Sequence, residues 1–203
     1  MTWAVLPFDK YILGIGELVA EANRDGSERV IAVVAGALLE EAVNRTIRER
    51  LIDDAKTTKT ANRLLKPESA LGNVTTQIDL LYLLGAFDEA TCKALKGLAG
   101  IRNYFAHRTD ASFNSDDEDF VQSMNRLTLH KGRTNYPHRL WGPDTTVALE
   151  PANTRRDQFI VNLKLALIFL MRDRVSHLAY SNTPRSDEEK LNMWPNRFVE
   201  PNA

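Results

Sequence analysis

Cysteine is nearly missing. Cys92 is the single one in 203 residues, so no intrachain disulfide can form, and a reducing, cytoplasmic setting is expected. Long apolar runs are missing too. The greasiest stretch, residues 159–171, is interrupted by Asn162 and Lys164 and falls short of the roughly 20 residues a membrane span needs. A buried helix and no membrane contact are expected there. No basic region precedes an apolar stretch at the start of the chain, so no secretory leader is expected. Neither charge dominates: 26 Lys plus Arg stand against 27 Asp plus Glu, a formal net charge of −1. That balance argues against a protein whose whole surface grips nucleic acid. There is no phosphate-cradling glycine loop and no cofactor fingerprint. His130 and His138 have no Cys, Asp or Glu at a spacing that completes a metal site. Neither a cofactor nor a metal is expected.

What is present reads as helix after helix. The pattern predicts an all-α, single-domain bundle of about six helices over residues 1–180. A long irregular insert lies at 128–154, and a proline-containing charged tail follows at 181–203. Pro7 suits the first position of an opening helix reaching about residue 23. Asp25-Gly26-Ser27 then breaks the chain, and Ser27 is placed to cap a long helix running to about residue 54. That helix contains Ala35-Gly36-Ala37, small residues that let a neighbouring helix come close. Residues 56–73 read as a polar connector with room for one short helix. Asn73 caps the next helix and Gly85 closes it. Asp88 starts the helix that ends near His107. Asp116 is expected to cap a short amphipathic helix carrying Phe120, Met124 and Leu127, and residue 155 opens the last long helix.

The six residues Arg102-Asn103-Tyr104-Phe105-Ala106-His107 stand out. At about 100° per residue, Leu95, Leu98, Ile101 and Phe105 form one apolar stripe, and Arg102 falls inside it. A guanidinium there costs several kcal/mol in desolvation unless an anion meets it. One reading supplies a buried ion pair with Glu40 or Glu41, which interrupt an otherwise apolar stretch of the long helix. His107 would then cap the end of its own helix, where the dipole favours a cation. The other reading is a nucleotide-directed site in which Arg102 clamps a phosphate, His107 moves a proton and Asn103 orients the imidazole. Five residues of separation put Arg102 and His107 about 140° apart on an ideal helix. That site therefore requires a second subunit or a distorted helix end. The acidic run Asp116-Asp117-Glu118-Asp119 lies close in sequence and would repel RNA at the same mouth.

The run from Ile31 to Val43 resembles the long helix of the mannitol operon repressor family. The likeness continues through Ala70-Leu71-Gly72-Asn73, Gln77 to Gly85, Ile101 to His107 and Ala111-Ser112-Phe113, and the stretch from Arg155 to Met171 is similar to the family's C-terminal helix. It covers roughly residues 30–127 plus that helix and leaves 128–154 and both ends unmatched. The resemblance implies an all-helical fold and a part in bacterial transcriptional repression. No helix-turn-helix with a basic recognition helix is visible here, so repression of this kind is expected to run through a protein partner. Arg102, Asn103 and His107 also resemble the signature of the HEPN superfamily (higher eukaryotes and prokaryotes nucleotide-binding). Many of its members are metal-independent endoribonucleases, often toxins or defence effectors that act as dimers.

A regulator or adaptor working through protein contacts, as a homodimer, is the reading preferred on sequence. The endoribonuclease using Arg102 and His107 across a dimer is the alternative, with RNA as its substrate. A second contact region for single-stranded nucleic acid is the insert, where Lys131, Arg133, His138 and Arg139 interleave with Tyr136 and Trp141. Basic groups neutralise phosphates and aromatic rings stack on bases. The competing reading is that Tyr136 and Trp141 anchor the insert to the helices.

Overall fold

A computed structural model of the chain describes residues 17, 27–50, 55–135 and 148–181. Six helices follow one another among these residues: α1 Glu28–Arg50, α2 Ala55–Leu64, α3 Val74–Leu83, α4 Glu89–His107, α5 Glu118–Asn125 and α6 Arg155–Ser181. No strand occurs among them, and the all-α bundle expected from sequence is what they form. The expected opening helix apart from residue 17, and the charged tail beyond residue 181, lie outside the described residues.

Local chemistry sets the helix ends. Ser27 Oγ accepts from the Val30 N–H at 3.3 Å. Asn73 caps α3 through Thr75 at 2.7 Å, and Asp88 caps α4 through Thr91 at 2.8 Å. Each side-chain oxygen satisfies one of the amide donors that a helix start leaves open. At the end of α3, Gly85 adopts a φ of 71°. The Ala86 N–H reaches back to the Leu81 carbonyl and the Gly85 N–H to that of Tyr82, both at 2.9 Å, which makes a Schellman closure. Thr154 and Asp157 cap α6 reciprocally, each side chain accepting from the other's backbone N–H at 3.1 Å.

One expected boundary is corrected. The cap of α5 is Asp117, which accepts from Asp119 and Phe120 at 3.1 and 3.2 Å; Asp116 instead faces Arg155. The short helix for which the connector had room forms as α2, Ala55–Leu64.

α4 lies at the centre, packed against α1, α3, α5 and α6. Its expected stripe of Leu95, Leu98, Ile101 and Phe105 is fully buried. Phe105 continues into an aromatic cluster with Phe113, Phe120 and Phe159, with ring centroids 4.8 to 6.3 Å apart. This spacing suits tilted and edge-on rings, and it fastens α4, α5, α6 and the 109–115 loop to one point. The loop is held from α1 as well, because Glu28 Oε2 accepts from the Phe113 N–H at 2.9 Å. Cys92 is buried and free, and burial pushes its thiol up from the ordinary range.

The insert at 128–154 holds no helix in its described parts. Asn135 and Ala148 form an antiparallel bridge, and Leu149 donates to Thr134 at 3.0 Å. Both residues that interrupt the apolar run of α6 serve this insert. Lys164 pairs with Glu150. Asn162, with no exposed surface, accepts from the Leu129 N–H at 2.8 Å and donates to the Gln158 carbonyl and to His130 Nδ1 at 2.7 and 2.8 Å. No helix among the described residues is long and apolar enough to cross a membrane.

Replacing Asn162 with Leu keeps the volume but strands the buried Leu129 N–H. The expected loss is about 2 kcal/mol of folding stability, read from the urea midpoint. A second outcome concerns pH. Burial, helped by the charge of Lys131, holds the His130 imidazole below its usual range. The Asn162 amide oxygen is occupied, so its nitrogen donates to a bare Nδ1 and the bond belongs to the neutral ring. The unfolded chain takes up this proton first as pH falls. Stability is therefore expected to be intact above pH ~6.5 and to decline below it. His130→Gln flattens that part of the profile in the same urea titrations.

Candidate functional site

Arg102 leaves the core stripe by crossing α1 at its narrowest point. Its stem lies on Gly36, where a Cβ would come within 2.7 Å of Arg102 Cβ and closer still to Cγ. Only a residue without a side chain lets the arginine pass between the two helices. The guanidinium then reaches the edge of α1 one turn further on. Nη2 stands 3.4 Å from Glu40 Oε1, and Nη1 donates to Asn103 Oδ1 at 3.0 Å. The inner nitrogen, Nε, is buried without a hydrogen-bond partner.

The ion pair expected from sequence therefore forms with Glu40, and it is not buried. The side chains are 30% and 42% exposed, so solvent screens the pair and it adds less than about 1 kcal/mol. Glu41 is exposed, lies about 100° further round the helix, and does not line the space that Arg102 enters.

That space is a cavity of about 400 Å³. α1 contributes Glu40 and Asn44, the start of α3 contributes Asn73, Val74 and Gln77, and α4 contributes Arg102 and Asn103. The loop before α3 closes it with Leu65, Pro67 and Gly72. This loop is folded back on the end of α2. The Leu64 carbonyl accepts from Leu71 N–H at 3.0 Å and from Ser69 Oγ, and Gln77 Nε2 donates to the Leu71 carbonyl at 2.7 Å. Gly72 faces the carbonyls of Lys66 and Pro67 so closely that no Cβ fits. The lining is polar, with one cation, one anion and four amide side chains.

His107 is elsewhere. It is the last residue of α4, is exposed, and does not line the cavity. It stands in the last turn of α4, with Arg108 at the C-cap position, and Arg29 from α1 donates to the Ala106 carbonyl at 3.1 Å. Arg102 and Asn103 are brought together while His107 is left out, as the angular separation on a regular helix requires. Two residues of the acidic run pair with basic side chains of the fold. Asp117 pairs with Arg108 at 2.8 Å and Asp116 with Arg155 at 3.6 Å, while Arg155 also donates to the Ser115 carbonyl at 2.5 Å.

In the insert, Lys131 is exposed. Arg133 is turned toward the fold: Nε donates to the Leu129 carbonyl at 2.9 Å, and its guanidinium lies 5.2 Å from the centre of the Phe169 ring. Tyr136, His138, Arg139 and Trp141 lie outside the described residues.

The chain matches no family model, no curated protein and no solved structure. The functional reading therefore rests on geometry.

Sequence reasoning missed Asn44 and Gln77 as lining residues and saw Asn73 only as a cap. Asn44 reads as one polar residue among several on a long helix. Gln77 carried a usable signal: on a helical wheel it falls on the face of Val74 and Leu81, and the fold buries it to 4% exposure.

Gly→Ala in a helix interior ordinarily gains about 1 kcal/mol. Gly36→Ala is expected to do the reverse and lose about 1–3 kcal/mol, since the new methyl meets the root of Arg102 rather than its mobile end. Combined with Arg102→Gly, which removes both the Cβ and the Cγ that the new methyl meets, the same substitution becomes neutral or favourable, a coupling that denaturant titration of the double-mutant cycle measures.

Proposed function

We propose that this protein is a non-enzymatic regulatory adaptor of the mannitol operon repressor type, cytoplasmic and dimeric, that influences transcription through a protein partner. The observation that carries this reading is the separation of the motif. Arg102 is held by Glu40 and Asn103, whereas His107 sits exposed at the end of α4 outside the cavity. A metal-independent ribonuclease needs a proton carrier and a cation aimed at one phosphate, and a single copy of the chain does not aim these two together, so that chemistry would need a second copy to supply one of them. Exposed apolar side chains support a role in protein contacts. Tyr82, Leu83 and Leu84 cluster at the end of α3, with Leu83 81% exposed. Val30 and Val34 lie one turn apart on the outer face of α1.

In the test, the purified full chain is incubated with single-stranded RNA in EDTA, and tagged protein is recovered from its native cells. No cleavage is expected. A specific partner is expected in stoichiometric amount, lost when Leu83 and Leu84 are replaced by Asp while the thermal midpoint stays unchanged. RNA cleavage that His107→Ala or Arg102→Ala abolishes would overturn the adaptor reading in favour of a HEPN-type endoribonuclease.

A further inference from the structure

Three asparagines on three different helix segments line the cavity, and each has its amide oriented by a neighbour. The Arg48 Nε–H donates to Asn44 Oδ1 at 2.8 Å, the Thr75 N–H to Asn73 Oδ1 at 2.7 Å, and Arg102 Nη1 to Asn103 Oδ1 at 3.0 Å. All three donors are groups that can only donate, so the acceptor in each case is the amide oxygen. The three Nδ2 groups are thereby left as the uncommitted ends, with no partner among the described residues. Arg102 adds a guanidinium whose contact to Glu40, at 3.4 Å, is long for a charge-assisted hydrogen bond.

The opening turn of α3 faces the same space through Asn73 and Val74 and carries no acidic side chain to offset its positive end. Residues with uncommitted donors thus line this space from α1, α3 and α4. Two groups act differently. The Glu40 carboxylate opposes an anion. Gln77 commits its Nε2 to Leu71, which leaves Oε1 as an acceptor suited to a ligand hydroxyl.

From this arrangement we infer that the cavity between α1, α3 and α4 binds a small oxyanion, the phosphate or carboxylate group of a metabolite-sized molecule. Oxygen-rich anions accept several hydrogen bonds at once, and this lining offers donors that the fold leaves open. A volume of about 400 Å³ suits a small molecule. The long contact to Glu40 holds the Arg102 guanidinium only loosely in the free protein, and the ligand takes over part of that guanidinium on binding. Such a ligand binds whether or not the protein works as an adaptor.

The experiment follows the side-chain amide resonances of Asn44, Asn73 and Asn103 in the uniformly ¹⁵N-labelled full chain. Inorganic phosphate is titrated in one arm and citrate in another, at constant ionic strength. Saturable shifts of these resonances are expected in at least one arm. Phosphate alone identifies a phosphoryl ligand, and citrate alone a carboxylate. Arg102→Gln is expected to weaken binding about tenfold. Glu40→Gln is expected to tighten it several-fold, a gain that a misfolded variant cannot produce. Three results would each overturn the assignment: shifts that never saturate, shifts that neither substitution changes, or shifts given by a short single-stranded RNA but by neither small anion.

Discussion

The crossing of α4 over α1 places an arginine stem where two helix backbones approach, and Gly36 is what makes room for it. A charged side chain inside an apolar stripe is costly when its head stays buried. Here the aliphatic stem covers the small-residue face of α1 and carries the head outward to Glu40 and Asn103. The core keeps its continuous packing of Leu95, Leu98, Ile101 and Phe105. The charge appears instead at the wall of a cavity, half in water. One inner nitrogen remains buried and unpartnered, a residual cost of this placement.

The two ends of α4 serve different purposes. Near Phe105 the helix is clamped by an aromatic cluster, by the loop that Glu28 holds and by Arg29 on the Ala106 carbonyl. The ion pairs of Arg108 and Arg155 with Asp117 and Asp116 belong to the same clamp. His107 lies at this structural end. Arg102 and Asn103, about one turn earlier, lie against the open polar space. A motif that looks like one unit in six consecutive residues is thereby divided between a fastening and a cavity.

The polarity of the cavity follows largely from how its walls are held. An asparagine that caps α3, another that receives Arg48 on α1 and a third that receives Arg102 each turn an oxygen toward protein. Each therefore has its nitrogen uncommitted. Orientation of amides by neighbouring donors is a strong constraint, because a reversed amide would set donor against donor. On the opposite side of the core, Asn162 shows the same economy. Its oxygen and nitrogen are both used, and that fixes the start of the insert onto α6.

Much of this molecule could be read one helix at a time. Ser27, Asn73, Asp88 and Gly85 mark helix ends because capping acts within a few residues, and Arg102 stands out because helical periodicity is local. The choice of Glu40 over Glu41 and the meeting of Asn44, Asn73 and Asn103 were decided only by tertiary structure. These depend on the angle and closeness at which helices far apart in the chain cross. Closeness at the α1–α4 crossing is set by one missing side chain, at Gly36, whose significance no linear pattern displays.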